Sequence, residues 1–511
     1  MKIYFLAFGL LFQSFLYGQD FFSKYYTFDS GTSNFRTLLV DDDTILLEGI
    51  FVDTIAPFLQ GIVFAKVDSS GNLISNQRYF DPKGRDLTYP PLNNMTKLSD
   101  GRYLVPAMTF QDNALLLIFL NSQFRVDTVF EYFAGEATVR LNLIRSVFEL
   151  NDGYIIFGSA QRLSYATDGQ IFRIKKNGDL IWRQWYGLAN KDEAFGDVAL
   201  YMDSTFIVAS FHKPFPVTSQ NHLYNTWIFE IDLDGNILNE YADSDPYSGP
   251  SGGLVIDNNK NIFYSGSKII DGMYGQQNGL GRIGMLNSEF KPQWKSIFGE
   301  NQYILTEFID MILSGSRLIT VGSQVDTART DSGFLNQYTT GWTGVSNING
   351  DSICERFDTA TWYPHQGRAM GIFRAMDTLS SGNIIACGDG WFGPQDDYHE
   401  FAWLVKMPNP PCENLITKNE DPPENINSSL QINPNPARNL AVIQWSEEIG
   451  DKADHLLVFD QDGRCMRKLI LQIGSKEISL SLTGFVPGTY IVQLYSKEGY
   501  LLGLEKLIVA Q

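Results

Sequence analysis

The sequence predicts an all-β chain, a seven-bladed β-propeller followed by a small Ig-like β-sandwich. Three observations predict it. A unit of two β-hairpins recurs along most of the chain. Gly and aromatic residues are abundant, while stretches with helical periodicity are few. Behind a polar linker, a final stretch breaks into short strands of its own.

The unit is clearest at Glu149–Gly187. Val147 to Leu150 is apolar, Asn151-Asp152-Gly153 turns, and Tyr154 to Phe157 is a second apolar run. Ile171 to Ile174 and Leu180 to Tyr186 then flank Asn177-Gly178. Asn-Gly between apolar runs favours a tight hairpin, because such a turn needs positive φ at both central residues. Four strands in about 40 residues make one propeller blade. The first hairpin recurs at Leu39, Lys97, Glu149, Tyr201, Asp257, Ile312 and Thr378, seven copies in all, and a second hairpin follows each. In the seventh copy Pro408-Asn409-Pro410-Pro411 replaces the last turn, and proline cannot continue a paired strand. Phe21 to Asp29 resembles the missing fourth strand. It is expected to close the ring on the seventh blade, which removes two open edges.

In chain order, residues 1–18 read as a secretory signal peptide: Met1-Lys2, an apolar run from Ile3 to Tyr17, and a small residue, Gly18, at the cut. That run is too short to predict a spanning helix. The propeller is expected over residues 19–411, a linker over 412–429 and the sandwich over 430–511. The formal net charge of −19 repels phosphate backbones and argues against nucleic acid as a partner. The four cysteines show no CxxC and no zinc spacing. They read as buried or incidental thiols, with a disulfide between two of Cys354, Cys387 and Cys412 left open.

No P-loop, HExxH or GxSxG occurs, so no catalytic residue and no cofactor are assigned. Asp257-x-Asn259-x-Asn261 mimics the start of an EF-hand loop. However, Ile262 and Lys268 stand where glycine and glutamate are required, so no metal is assigned. Position supplies the remaining candidates. In a propeller, loops between second and third strands share a face with the links between blades. His212, His222, His365 and His399 all fall in such loops, among many aromatic residues. The expected contact surface is His212, Tyr224, Trp362, Tyr363, His365, Trp391, Phe392, Tyr398 and His399. Aromatic planes on a recessed polar face suit stacking on sugar rings or contact with a protein. The same rings could simply pack the loops. The reading is a binding or adhesion module for glycan or protein. An extracellular polysaccharide-active enzyme (glycosidase or lyase) and a purely structural surface protein are the alternatives.

The last stretch carries an ordered set of motifs: Asn433-Pro434-Asn435-Pro436-Ala437, Leu457-Val458-Phe459-Asp460 running into Asp462-Gly463-Arg464, Pro487-Gly488-Thr489-Tyr490, and a terminal Glu505-Lys506-Leu507-Ile508-Val509. It resembles the type A C-terminal sorting domain of the type IX secretion system of Bacteroidetes. The matching residues are Pro434, Asn435, Pro436, Gly463, Gly488, Tyr490 and Lys506. The resemblance implies export through the periplasm, recognition of the folded tail by an outer-membrane translocon, and release or attachment at the cell surface.

Overall fold

The computed structural model describes residues 21–28, 32–88, 95–136, 139–162, 166–187, 191–202, 204–214, 225–243, 245, 248–271, 277–299, 305–329, 335–358, 370–392, 399–411, 430–446, 452–459, 465–472, 474–496 and 501–510. Every regular element among them is a β-strand. The chain divides into two compact units between Glu413 and Asn414.

In the first unit, antiparallel sets of strands follow one another in chain order. β1 (Phe22–Tyr26) comes first. β2 (Thr32–Asp41), β3 (Thr44–Val52), β4 (Gln60–Val67) and β5 (Leu73–Tyr79) form the first set. In the second, β6 (Leu87–Thr88) and β7 (Thr96–Lys97) both pair with β8 (Tyr103–Thr109), followed by β9 (Leu115–Leu120) and β10 (Val126–Tyr132). The third is β11 (Val139–Leu150), β12 (Gly153–Arg162), β13 (Thr167–Lys175) and β14 (Leu180–Tyr186). The fourth is β15 (Lys191–Met202), β16 (Thr205–Pro214), β17 (Asn225–Asp232) and β18 (Ile237–Ala242). The fifth is β19 (Ser248–Ile256), β20 (Ile262–Asp271), β21 (Gln277–Leu286) and β22 (Pro292–Phe298). The sixth is β23 (Leu305–Ser314), β24 (Arg317–Arg329), β25 (Leu335–Asn347) and β26 (Ser352–Asp358). The last is β27 (Met370–Thr378), β28 (Ile384–Phe392) and β29 (His399–Met407). β1 pairs antiparallel with β29, from Phe22↔Lys406 to Tyr26↔Ala402, and fills the fourth place of that set. The arrangement is propeller-like.

Local chemistry fixes the turns. Between third and fourth strands a carboxylate or amide closes the loop on its own backbone. Asp232 Oδ1 accepts from the N–H groups of Asp234 and Asn236, and Asn347 Oδ1 accepts from those of Asn349 and Asp351. Gly235 and Gly350 then take the positive φ that the turn needs (86° and 90°). Apolar residues on both faces of the middle strands seal neighbouring sets together. Ile155, Phe157 and Ile171 of the third set meet Phe206, Val208 and Phe229 of the fourth. Trp342 stacks on Phe308 at 4.3 Å, and Trp403 on Phe373 at 4.6 Å. Each such pair contributes about 0.5–1.5 kcal/mol beyond its area burial.

Three sequence expectations need correction. First strands begin earlier than their apolar runs: β11 starts at Val139, ahead of the Val147–Leu150 run. The loops between second and third strands are shorter than the apolar runs imply, because the hairpin partners keep pairing: β24 and β25 stay in register out to Arg329↔Leu335. The cysteines are not all thiols. Cys354 is disulfide-bonded, while Cys387 is buried and free.

The second unit has two sheets. β30 (Leu430–Asn433), β31 (Leu440–Trp445) and β34 (Glu477–Ser481) form one, in the order β30-β31-β34. β32 (Ala453–Phe459), β33 (Cys465–Ile470), β35 (Gly488–Ser496) and β36 (Leu501–Val509) form the other, in the order β33-β32-β35-β36. Both contribute to one core that includes Ile443, Leu456, Leu480, Tyr490 and Leu507.

Candidate functional site

The first strands share an irregularity that organises the centre of the first unit. β2, β11, β15, β23 and β27 each slip register at an equivalent position: between Phe35 and Thr37, Ile144 and Ser146, Phe195 and Asp197, Phe308 and Asp310, and Phe373 and Ala375. Each skipped residue lacks a cross-strand partner, as in a β-bulge, which re-aims a side chain. Three of the five are arginines: Arg36, Arg145 and Arg374.

Two of these arginines build a charged cluster where the last and first sets meet. Arg374 Nε donates to Asp389 Oδ1 at 2.7 Å. Arg36 lies 3.6 Å from the same oxygen and 3.9 Å from Glu400 Oε1. Asn34 ties the group together: its Nδ2 donates to Glu400 Oε1 at 2.8 Å, and its Oδ1 accepts from Arg36 Nε at 3.1 Å. Asp389 and Arg36 are buried, and two guanidinium groups balance two carboxylates. A buried charge unpaired would be costly, so the pairing is what permits the cluster.

Aspartates beyond three of the bulges, immediately after two of them and three residues past Arg374 in the third, brace neighbouring sets. Asp197 accepts from Val198 N and, across to the fifth set, from Leu254 N. Asp310 accepts from Met311 N and from Met376 N of the last set. Asp377 accepts from Thr378 N and from Val40 N of the first set. Burial pushes Asp197 up to about 7, and burial together with the charge of Asp197 brings Asp310 to about 7 as well. Burial likewise raises Glu48 far above the carboxylate range, and both its oxygens lack hydrogen-bond partners.

The residues expected from sequence fare unevenly. His212 is not in a loop: it lies on β16, buried at 8 % exposure. The backbone continues paired there, with His212 opposite Glu193 on β15 and Asn225 on β17. Burial, and then the charge of Lys191, lower its pKa. Trp391, Phe392 and His399 also lie on strands rather than in loops. Trp391 pairs with Glu400, and Phe392 with His399, which brings them beside the charged cluster. Tyr224, Trp362, Tyr363, His365 and Tyr398 lie outside the described residues. The cluster itself was missed. A signal existed: Arg36, Arg145 and Arg374 each precede a first hairpin by three or four residues.

The Asp257 turn resolves as a self-capped loop, with Asp257 Oδ1 accepting from Asn259 N and Asn261 N. No grouping of three or more His, Cys, Asp or Glu suited to a metal occurs among the described residues.

In the second unit, Asn435 acts as a one-residue strand. Its Nδ2 donates to Lys506 O at 2.6 Å, and its Oδ1 accepts from Ile508 N at 2.8 Å. Ala437 continues the pairing through Ile508 O and Ala510 N. Pro434 and Pro436 flank Asn435 and are exposed. Gly488 opens β35 opposite Val509, and the buried Tyr490 donates its hydroxyl to Val486 O. Gly463 lies outside the described residues.

Residues 431–510 match the family model of the secretion system C-terminal sorting domain. They are a type IX secretion sorting tail, and the protein is exported to the cell surface or secreted. No curated protein matches the chain. Among solved structures, the chain is similar to the BP39L lectin from Burkholderia pseudomallei, with 12% identity over 74% of this chain and 97% of that one and a TM-score of 0.42. It is also similar to the GH93 α-L-arabinofuranosidase of Fusarium graminearum in complex with arabinobiose (13% identity, 76% and 99% covered, TM-score 0.39). A third is semaphorin 1a of Drosophila, extracellular domains 1-2 (8%, 76% and 88%, TM-score 0.41). At these values the likenesses carry no argument about activity.

Proposed function

We propose that the first unit is a seven-bladed propeller over residues 19–411, closed by β1 on the last blade, and that it serves as an exported binding module for a glycan or a surface protein. A signal peptide over residues 1–18 starts the route. A linker over 412–429 leads to an Ig-like tail over 430–511, which engages the outer-membrane translocon. The contact surface is the face where second strands turn into third strands, with Trp362, Trp391, Phe392 and His399 among its residues. The observation that carries this reading is the charged cluster of Asn34, Arg36, Arg374, Asp389 and Glu400. It is charge-balanced and linked by hydrogen bonds, and it adjoins the backbone of Trp391 and His399. Such a preorganised polar floor beside aromatic residues suits recognition.

A second reading has one observation behind it. Asp197 and Asp310 are carboxyls raised to about 7, the range suited to general acid–base work. Each is already held by two backbone N–H groups, which favours a bracing role.

A glycan-array and polysaccharide-degradation screen of the secreted protein, beside a Trp362→Ala/Trp391→Ala variant, tests the proposal. Binding that the variant loses, without product, is the expected outcome. Product formation would replace the binding reading with the enzymatic one.

A further inference from the structure

One polar row in the first unit has no task in the cluster described above. Glu193, His212 and Asn225 stand directly opposite one another on β15, β16 and β17. Directly opposed residues of antiparallel strands share a face, with Cβ atoms about 4.5–5.5 Å apart. Phe195, Val208 and Trp227 alternate with them on that face and pack against Ile155, Phe157 and Ile171. The row therefore looks into the seam between the third and fourth sets, at the end of the seam nearest the β16–β17 connection.

Glu193 and His212 are buried. His212 Nδ1 and Asn225 Oδ1 are both buried without a hydrogen-bond partner. An orphaned buried polar atom forfeits its hydration without compensation, so two adjacent ones signal a group that completes them. Gly187 keeps the seam open nearby. A Cβ there would stand 2.7 Å from Asp168 Oδ1 and 3.2 Å from Glu193 Oε2.

The chemistry of the missing group follows from the atoms. Asn225 Oδ1 can only accept. The imidazole is held neutral by burial and by Lys191, so Nδ1 either donates or accepts according to tautomer. Lys191 also disfavours a second cation. A hydroxyl oxygen meets both demands at one atom, since it donates and accepts at once. The Glu193 carboxylate beside it can accept a hydrogen bond from a neighbouring hydroxyl.

We infer that the seam between the third and fourth sets, floored by Glu193, His212 and Asn225, is a subsite for adjacent hydroxyl groups of a neutral carbohydrate. This deepens the glycan-binding reading and rests on it. The competing occupant with the same hydrogen-bonding capacity is a single trapped water.

The test uses the full chain and a panel of neutral oligosaccharides derived from arabinan, xylan, mannan and glucan. Affinities are measured for the wild type, His212→Phe, Asn225→Leu and the milder Gly187→Ala. Thermal melting of each variant identifies any that fail to fold, in which case Gly187→Ala carries the test. Wild-type binding that falls about tenfold or more in folded variants supports the subsite. Wild-type binding that the folded variants keep overturns the subsite, assigns the seam to a water, and leaves the glycan-binding reading standing. No binding by the wild type to any oligosaccharide overturns both.

Discussion

The two units put their polar residues to different use. In the tail, Asn435 substitutes for a strand at an exposed edge and hydrogen-bonds backbone atoms of Lys506 and Ile508. In the first unit, Asp197, Asp310 and Asp377 do comparable work in the interior, each accepting one amide of its own strand and one of the next set. An exposed brace sits in a short fixed motif beside prolines, so it can be read from sequence. An interior brace is one aspartate among 58 acidic residues, and no local pattern marks it.

The sharpest way to break this comparison is to remove a brace from each unit. Asp310→Ala strips the partner from two amides, Met311 N and Met376 N. It should cost roughly 2–5 kcal/mol, seen as an earlier urea transition of the first unit. Asn435→Ala loses its two bonds at a hydrated edge. It should cost about 1 kcal/mol in the tail and reduce the amount exported, measured by immunoblot of the culture medium and cell surface. Equal losses for the two variants would erase the distinction between interior and edge braces.

Acidity sharpens the contrast further. With Asp197 and Asp310 raised to about 7, the folded first unit holds protons that the unfolded chain releases near pH 4. Its stability should fall as pH rises from about 4 to about 7, by at most roughly 1.4 kcal/mol per pH unit for each group. Urea titrations at pH 5 and pH 7.5 check the sign; a first unit more stable at pH 7.5 would contradict the burial of these two carboxyls. The smallest effect concerns Cys387, whose thiol is buried and pushed up. Iodoacetamide should leave it unmodified in the native protein and alkylate it only after unfolding, as read by peptide mass spectrometry.

Much of the architecture was legible because turn chemistry repeats: Asp232-x-x-Gly235 and Asn347-x-x-Gly350 mark the same hairpin in different sets. The opening halves of first strands were not, because they end in bulges and carry charge. Residues 139–146 read VRLNLIRS, which alternates apolar and polar only as far as Leu143, and Ile144-Arg145 then breaks the pattern at the bulge. His212 was legible as a candidate and misplaced, since Phe211-His212-Lys213-Pro214 looks like the end of an apolar run. Glu193 and Asn225 were invisible. They gain meaning only from strand pairing, and Lys191-Asp192-Glu193 reads as a solvated turn.

Hydrogen exchange of the full chain, with and without the glycan that binds most tightly in the array, tests the central claim most directly. The account predicts added protection at Lys191–Phe195, Met370–Arg374 and His399–Ala402, the strand ends that share the contact face. Protection confined to the opposite ends, around the Asp68–Gly71 and Asp232–Gly235 turns, or shortened glycan chains in the recovered ligand, would contradict it.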